Sequence, residues 1–141
     1  NVSALTQTNP KRMLAYSSIA QSGFMLLGVT SLTLEGIQYT LFYASVFLIM
    51  NFLVFSVLND YEDQGVNEIP AFSGLGRSSW FPAVALLVGM VALTGLPPTA
   101  GFTGKLLIFS SLWNTYQESG SSLLLVLFVA GLINTVVSLF F

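Results

Sequence analysis

The fold class predicted by this sequence is all-α, a polytopic transmembrane helix bundle. Three observations predict it. Of 141 residues, 54% are hydrophobic and only 7% are charged, whereas a soluble domain carries about 25% charged residues. Apolar runs recur along the chain at lengths suited to a hydrocarbon core. One apolar region is interrupted by "TGLPPTAG", residues 94–101, which points to a discontinuous helix at residues 80–116.

The elements follow in order. Residues 1–9 are polar and turn-like. Pro10 suits a first helical position, where its missing N–H costs nothing. Lys11 and Arg12 follow at the expected membrane surface, and a helix is predicted over 10–34, uncharged from Met13 onward. Tyr16, Ser17, Ser18, Gln21 and Ser22 make its first half too polar for lipid, so that half is expected to face other helices. Tyr16, Ser17, Ser18 and Gln21 form a candidate polar path. Glu35 and Gly36 mark a turn. A Phe-rich helix over 37–58 comes next, with Asn51 as its buried polar residue. About 20 residues at 1.5 Å each cross a core of about 30 Å.

Residues 59–79 read as an aqueous loop carrying Asp60, Glu62, Asp63, Glu68 and Arg77. These acids lack EF-hand spacing and read as a solvated connector. Half-helices are predicted over 80–94 and 102–116, then a last helix over 122–141, with Asn134, Thr135 and Ser138 facing a neighbour. Basic residues mark inner ends. Lys11 and Arg12 therefore place the first helix start inside, make 59–79 an inner-side loop, and put Glu35 and Glu118 outside. A lateral place in an ion path is the other role open to Lys11 and Arg12. Trp80 and Trp113 read as interface anchors in contact with lipid.

Lys105 is the one charge within an apolar stretch. It follows a break built from Leu96, Pro97, Pro98, Gly101 and Gly104. The prolines remove two backbone donors and push the preceding residues out of the α region. Two geometries fit: a hairpin of short helices, or one crossing by a discontinuous helix. Each half is short for a full span, and unwound backbone at membrane depth persists only when buried in protein or lining a wet cavity. In the broken crossing, Lys105 sits inside the slab, where an unpaired ammonium costs several kcal/mol. In a hairpin it would snorkel to the surface. A lysine's charge responds in opposite senses to desolvation and to a nearby carboxylate, which is what a proton relay requires. Any ionisable partner must come from outside this stretch.

The sequence has no Cys and no His. A disulfide framework and thiolate or imidazole metal sites are excluded, and no metal site is expected. No phosphate loop, dinucleotide motif, haem pattern or nucleophilic triad is present. The scattered charges, net −2, do not form a nucleic-acid surface. A start at Asn1 and an end inside an apolar run lead us to expect an internal fragment of a longer membrane protein.

Two stretches carry a family resemblance: "QTNPKRMLAYSSIAQSGFMLLGV", residues 7–29, and "ALTGLPPTAGFTGKLLIFSSLW", residues 92–113. In this order they resemble the antiporter-like, proton-pumping subunits of respiratory complex I. They are most similar to the subunit N type (subunit 2 in mitochondria), and its counterpart in the photosynthetic NDH complex is also similar. The resemblance implies part of a fourteen-helix antiporter-like fold with a discontinuous helix. It implies a relay lysine just after the break, which falls on Lys105. It implies proton translocation driven by electrons passing from NADH, or another donor such as ferredoxin, to a quinone. NADH, flavin, iron–sulfur clusters and quinone would belong to other subunits, with no cofactor in this chain. Partners would be other membrane subunits, adjacent antiporter-like ones included. The location implied is a bacterial plasma membrane first, with the mitochondrial inner membrane or thylakoid also open. Family members often have histidine at or beside the position of Gln21. Multisubunit Mrp-type cation/proton antiporters share similar "PP-AGF-GK" segments and are the alternative.

Overall fold

The computed structural model describes residues 2–66 and 68–140; Asn1, Asn67 and Phe141 lie outside the described residues, and with them the expected endpoint of the last helix. The described residues form helices joined by turns: α1 (Val2–Leu5), α2 (Pro10–Thr30), α3 (Leu34–Asp63), α4 (Leu75–Ser78), α5 (Trp80–Thr94), α6 (Ala100–Ser119) and α7 (Ser122–Val137), with 3₁₀ turns at Ile69–Phe72 and Ser138–Phe140.

Local chemistry sets the helix ends. Asn9 caps α2, its side chain accepting from the Arg12 amide at 3.1 Å, and Pro10 occupies the first turn. Thr33 caps α3 by accepting from the Gly36 amide at 3.0 Å. The turn between α2 and α3 therefore lies at Ser31–Thr33, not at Glu35 and Gly36 as the sequence suggests. Glu35 sits in the first turn of α3, where the helix dipole favours an anion. Gly36 is a packing position: a Cβ there would collide with Ser31 Oγ and lie 2.6 Å from the Gly28 carbonyl oxygen. The helix expected to end at 58 runs on to Asp63, so Asp60, Glu62 and Asp63 are helical rather than loop residues. A 30-residue helix is about 45 Å long, so its last turns can extend past a hydrocarbon core.

Three elements, Pro10–Thr30, Leu34–Asp63 and Ser122–Phe140, are long and apolar enough to cross a membrane, and the chain is a multi-pass integral membrane chain. The apolar helix Trp80–Thr94 is shorter. It is continued by α6 in the same direction, and α3 shows this. Val54 of α3 packs against Gly89 of α5, whereas Tyr43 packs against Gly104 of α6 and Thr33 Oγ1 lies 3.3 Å from Ser111 Oγ. One antiparallel partner therefore runs alongside both halves in turn. The sequence left a hairpin and a single broken crossing open; the structure has the single broken crossing.

Two apolar clusters hold the bundle. Leu14, Val54, Leu58 and Leu93 form one, and Phe24, Tyr43, Ile108 and Phe109 the other. Between them lies the layer of buried polar groups described next. Ile19, Leu48, Phe52, Trp80 and Val126 point outward, as lipid- or subunit-facing positions do in a membrane bundle. Trp80 is 71% exposed at the start of α5, while Trp113 packs against Tyr116 and Phe128.

Candidate functional site

The break comprises Gly95–Thr99. Gly95 closes α5 in the left-handed region (φ 83°), its N–H and that of Leu96 both reaching the Val91 carbonyl at 3.2 Å. Leu96, Pro97 and Pro98 follow, the two prolines joined by a cis peptide bond. Thr99 then caps α6, its hydroxyl accepting from the Phe102 amide at 3.4 Å. Gly101 and Gly104, grouped with the break from sequence, are helical residues of α6. They permit close approach. A Cβ on Gly101 would collide with the Ala92 carbonyl oxygen, and one on Gly104 would lie 2.6 Å from the Tyr43 ring.

In a continuous helix the carbonyls of Leu93 and Thr94 would accept from the amides four residues on. Those positions are Pro97 and Pro98, which have no N–H to give. Side chains replace them. Lys105 Nζ donates to the Thr94 carbonyl at 2.9 Å and reaches the Leu93 carbonyl at 3.5 Å. Gln21 Nε2 donates to the Leu93 carbonyl at 2.9 Å. The Tyr43 hydroxyl donates in turn to Gln21 Oε1. Nζ also lies 4.8 Å from the centre of the Phe24 ring, within cation–π range. The C-terminal end of a helix carries partial negative charge, so the end of α5 offers a cation an attractive seat.

Lys105 is 3% exposed. Its neighbour Gln21 stands about 16 Å along α2 from Pro10 and about 14 Å from Thr30, which places the site at mid-depth of the bundle. Among the described residues the salt bridge found is Lys11–Glu62, partly exposed and linking the start of α2 to the end of α3. Lys105 has no carboxylate partner among them.

The candidate polar path is divided by helix phase. Ser17 and Gln21, four residues apart, share the buried face of α2 with Phe24 and Gly28. Tyr16 is 40% exposed on another face, beside Arg12 and Ile19. Ser18 donates to the Leu14 carbonyl and receives Asn51 Nδ2 at 3.4 Å. Asn51 Oδ1 is buried with no partner among the described residues. Sequence reasoning did not select Tyr43. Its signal was a phenol in a Phe-rich helix, whose hydroxyl needs a partner once buried.

Two openings flank the site. A largely apolar cavity of about 160 Å³ borders the break, lined by Leu14, Met90, Val91 and Leu93 together with Ser17, Thr94 and Ser138. A polar mouth of about 510 Å³ opens at the far end of α6, lined by Thr33, Glu35, Ser111 and Glu118 among others. Phe24, Ile108 and Phe109 lie between that mouth and Lys105.

Fold and site together define a class: a multi-pass helical membrane chain whose discontinuous helix holds a buried lysine at mid-depth. Residues 1–135 match the family described as NADH:quinone oxidoreductase/Mrp antiporter, transmembrane, and the chain belongs to that family. It is 46% identical to NADH-quinone oxidoreductase subunit N 2 of Sorangium cellulosum, over 100% of this chain and 28% of that protein. It is 42% identical to NADH-quinone oxidoreductase subunit N of Chlorobium chlorochromatii, over 100% of this chain and 27% of that protein. It is 39% identical to NAD(P)H-quinone oxidoreductase subunit 2 of a Synechococcus species, over 100% of this chain and 26% of that protein. The chain thus spans little more than a quarter of the length of these relatives.

Proposed function

We propose that this chain forms part of a membrane subunit, of the subunit N kind, in a proton-translocating NADH:quinone oxidoreductase, and that Lys105 is its proton-relay residue. One observation carries this reading: Lys105 is seated at mid-depth on the carbonyls of a broken helix and has no carboxylate partner among the described residues. A cation held by dipoles can release its proton without leaving a bare buried anion behind. The carbonyls remain: Gln21 Nε2 still holds that of Leu93, and that of Thr94 borders the cavity beside the break.

The resting arrangement is closed toward the polar mouth by Phe24, Ile108 and Phe109. A proton travelling that way requires this apolar layer to hydrate or shift, which makes the layer a natural gate. NADH, flavin, iron–sulfur clusters and quinone belong, in this reading, to other subunits, and the chain works beside other membrane subunits, adjacent antiporter-like ones among them. The Lys11–Glu62 end faces the inner side by the positive-inside rule, and the Glu35–Glu118 end the outer side of a bacterial membrane.

The test is Lys105→Ala in the full-length subunit of the intact complex. NADH-driven proton uptake into inverted vesicles should be lost for the most part while the complex still assembles. An assembled variant that pumps at the parent rate sinks the relay assignment. Cation/proton exchange without NADH would move the chain to the antiporter branch of its family.

A further inference from the structure

The two carbonyls freed by Pro97 and Pro98 are not held alike. Thr94 has Lys105 Nζ at 2.9 Å. Leu93 has Gln21 Nε2 at 2.9 Å, with Lys105 Nζ farther off at 3.5 Å. A carboxamide has an accepting end and a donating end. The Tyr43 hydroxyl takes the accepting end of Gln21, so the amine end is turned to Leu93. Gln21 is 1% exposed and Tyr43 is buried, so water does not compete for either group. Three helices converge on one short stretch of backbone: α2 through Gln21, α3 through Tyr43 and α6 through Lys105.

We infer that Gln21, oriented by Tyr43, is a positioning residue that holds the Leu93 carbonyl so that Lys105 is free to exchange its proton and move. The inference rests on the reading of Lys105 as the relay. An amide donor does not titrate. The Leu93 carbonyl therefore stays satisfied whether the lysine is charged, neutral or turned away. Departure of Nζ then uncovers only the Thr94 carbonyl, and Thr94 borders the cavity beside the break. Without Gln21, the lysine becomes the one side-chain donor for both carbonyls. Unsatisfied backbone is strongly disfavoured at membrane depth, so the break itself would pin the lysine in place. The requirement is a donor and an acceptor at opposite ends of one side chain. Neutral histidine meets it, one ring nitrogen donating and the other accepting; leucine does not.

The experiment uses the full-length subunit in the intact complex, with NADH-driven proton uptake measured per NADH oxidised. Gln21→Leu should assemble and lose roughly tenfold in pumping, the scale of one buried hydrogen bond. Gln21→His should recover most of it, and Tyr43→Phe, which keeps the ring, should give a partial loss of about threefold. A purely structural role would lower assembly in both Gln21 variants and would not be rescued by histidine. Parent-level pumping in Gln21→Leu overturns the inference, as does a histidine variant no better than leucine. If the leucine variant does not assemble, parent-level pumping in Tyr43→Phe overturns it instead. Lys105→Ala, run in parallel, separates the two readings. Normal pumping there removes the relay itself, whereas impaired Lys105→Ala beside normal Gln21→Leu removes only the role of Gln21.

Discussion

Replacing Gly104 by alanine adds one methyl group where α6 meets α3. The new Cβ would lie 2.6 Å from Cδ2 of Tyr43 and 3.3 Å from its Cβ and Cγ. Ordinary van der Waals contact begins near 3.4 Å, so the ring must recede by about 0.8 Å, or the helices must part by a similar amount, against interior packing that has little slack. Tyr43 packs with Phe24, Ile108 and Phe109 in one buried cluster. Overpacking of this kind costs about 1–3 kcal/mol, roughly 5- to 150-fold in an equilibrium constant. The displacement also draws the Tyr43 hydroxyl off Gln21, so pumping should fall together with stability. The assay is the fraction of assembled complex that survives a temperature ramp, with the full-length variant subunit in place. Tyr43→Ala in the same chain makes room for the methyl group. The double variant should therefore be less destabilised than the two single losses combined, the signature of residues in contact. Parent-level heat resistance in Gly104→Ala, or strict additivity in the double variant, would refute the close approach of α6 to α3.

Two further outcomes are expected. Gly95→Ala forces a side chain into the left-handed region, φ 83°, at about 1–2 kcal/mol, and sets a Cβ 3.0 Å from Cδ and 3.2 Å from Nζ of Lys105. Pumping should drop in the assembled complex, whereas Gly120→Ala, with φ 63° and no atom within 4 Å of the added Cβ, should carry similar strain and leave pumping intact; equal loss in both would disprove an effect through the lysine. Lys11→Gln removes a partly exposed ion pair with Glu62, worth about 0–1 kcal/mol and weakened by salt. Heat resistance and pumping should both stay near the parent values, and a large pumping defect would assign Lys11 to the proton path.

Several features were legible because they violate the local rule of an apolar chain. A single lysine and two adjacent prolines stand out against hydrocarbon-compatible sequence, and both are costly unless something compensates. Lys105 and the discontinuous helix could therefore be found without coordinates. Other assignments failed for lack of a phase or a partner. Gly101 and Gly104 read as helix breakers beside prolines, yet they are helical and serve contacts with Ala92 and Tyr43, which lie far away in sequence or across the break. Tyr16 was grouped with Gln21 by composition, although helical phase turns it to another face. Tyr43 was hidden among phenylalanines. In lipid the outer face of a helix is as apolar as the inner one, so hydrophobic patterning does not reveal which residues meet.

By itself, the sequence determined that the chain enters a membrane, that one of its helices breaks near Pro97 and Pro98, and which charge the break accompanies. These follow from composition, run length and the missing N–H of proline, all local properties. Only the tertiary structure decided that the two half-helices form a single crossing, that Lys105 rests on the Leu93 and Thr94 carbonyls, and that Gln21 and Tyr43 complete the seat. Those facts depend on three helices meeting at one depth. The donors lost at Pro97 and Pro98 had to be replaced by some side chain, because carbonyls buried there need partners. Which side chains do so is a matter of packing between α2, α3 and α6, and no stretch of sequence taken alone contains it.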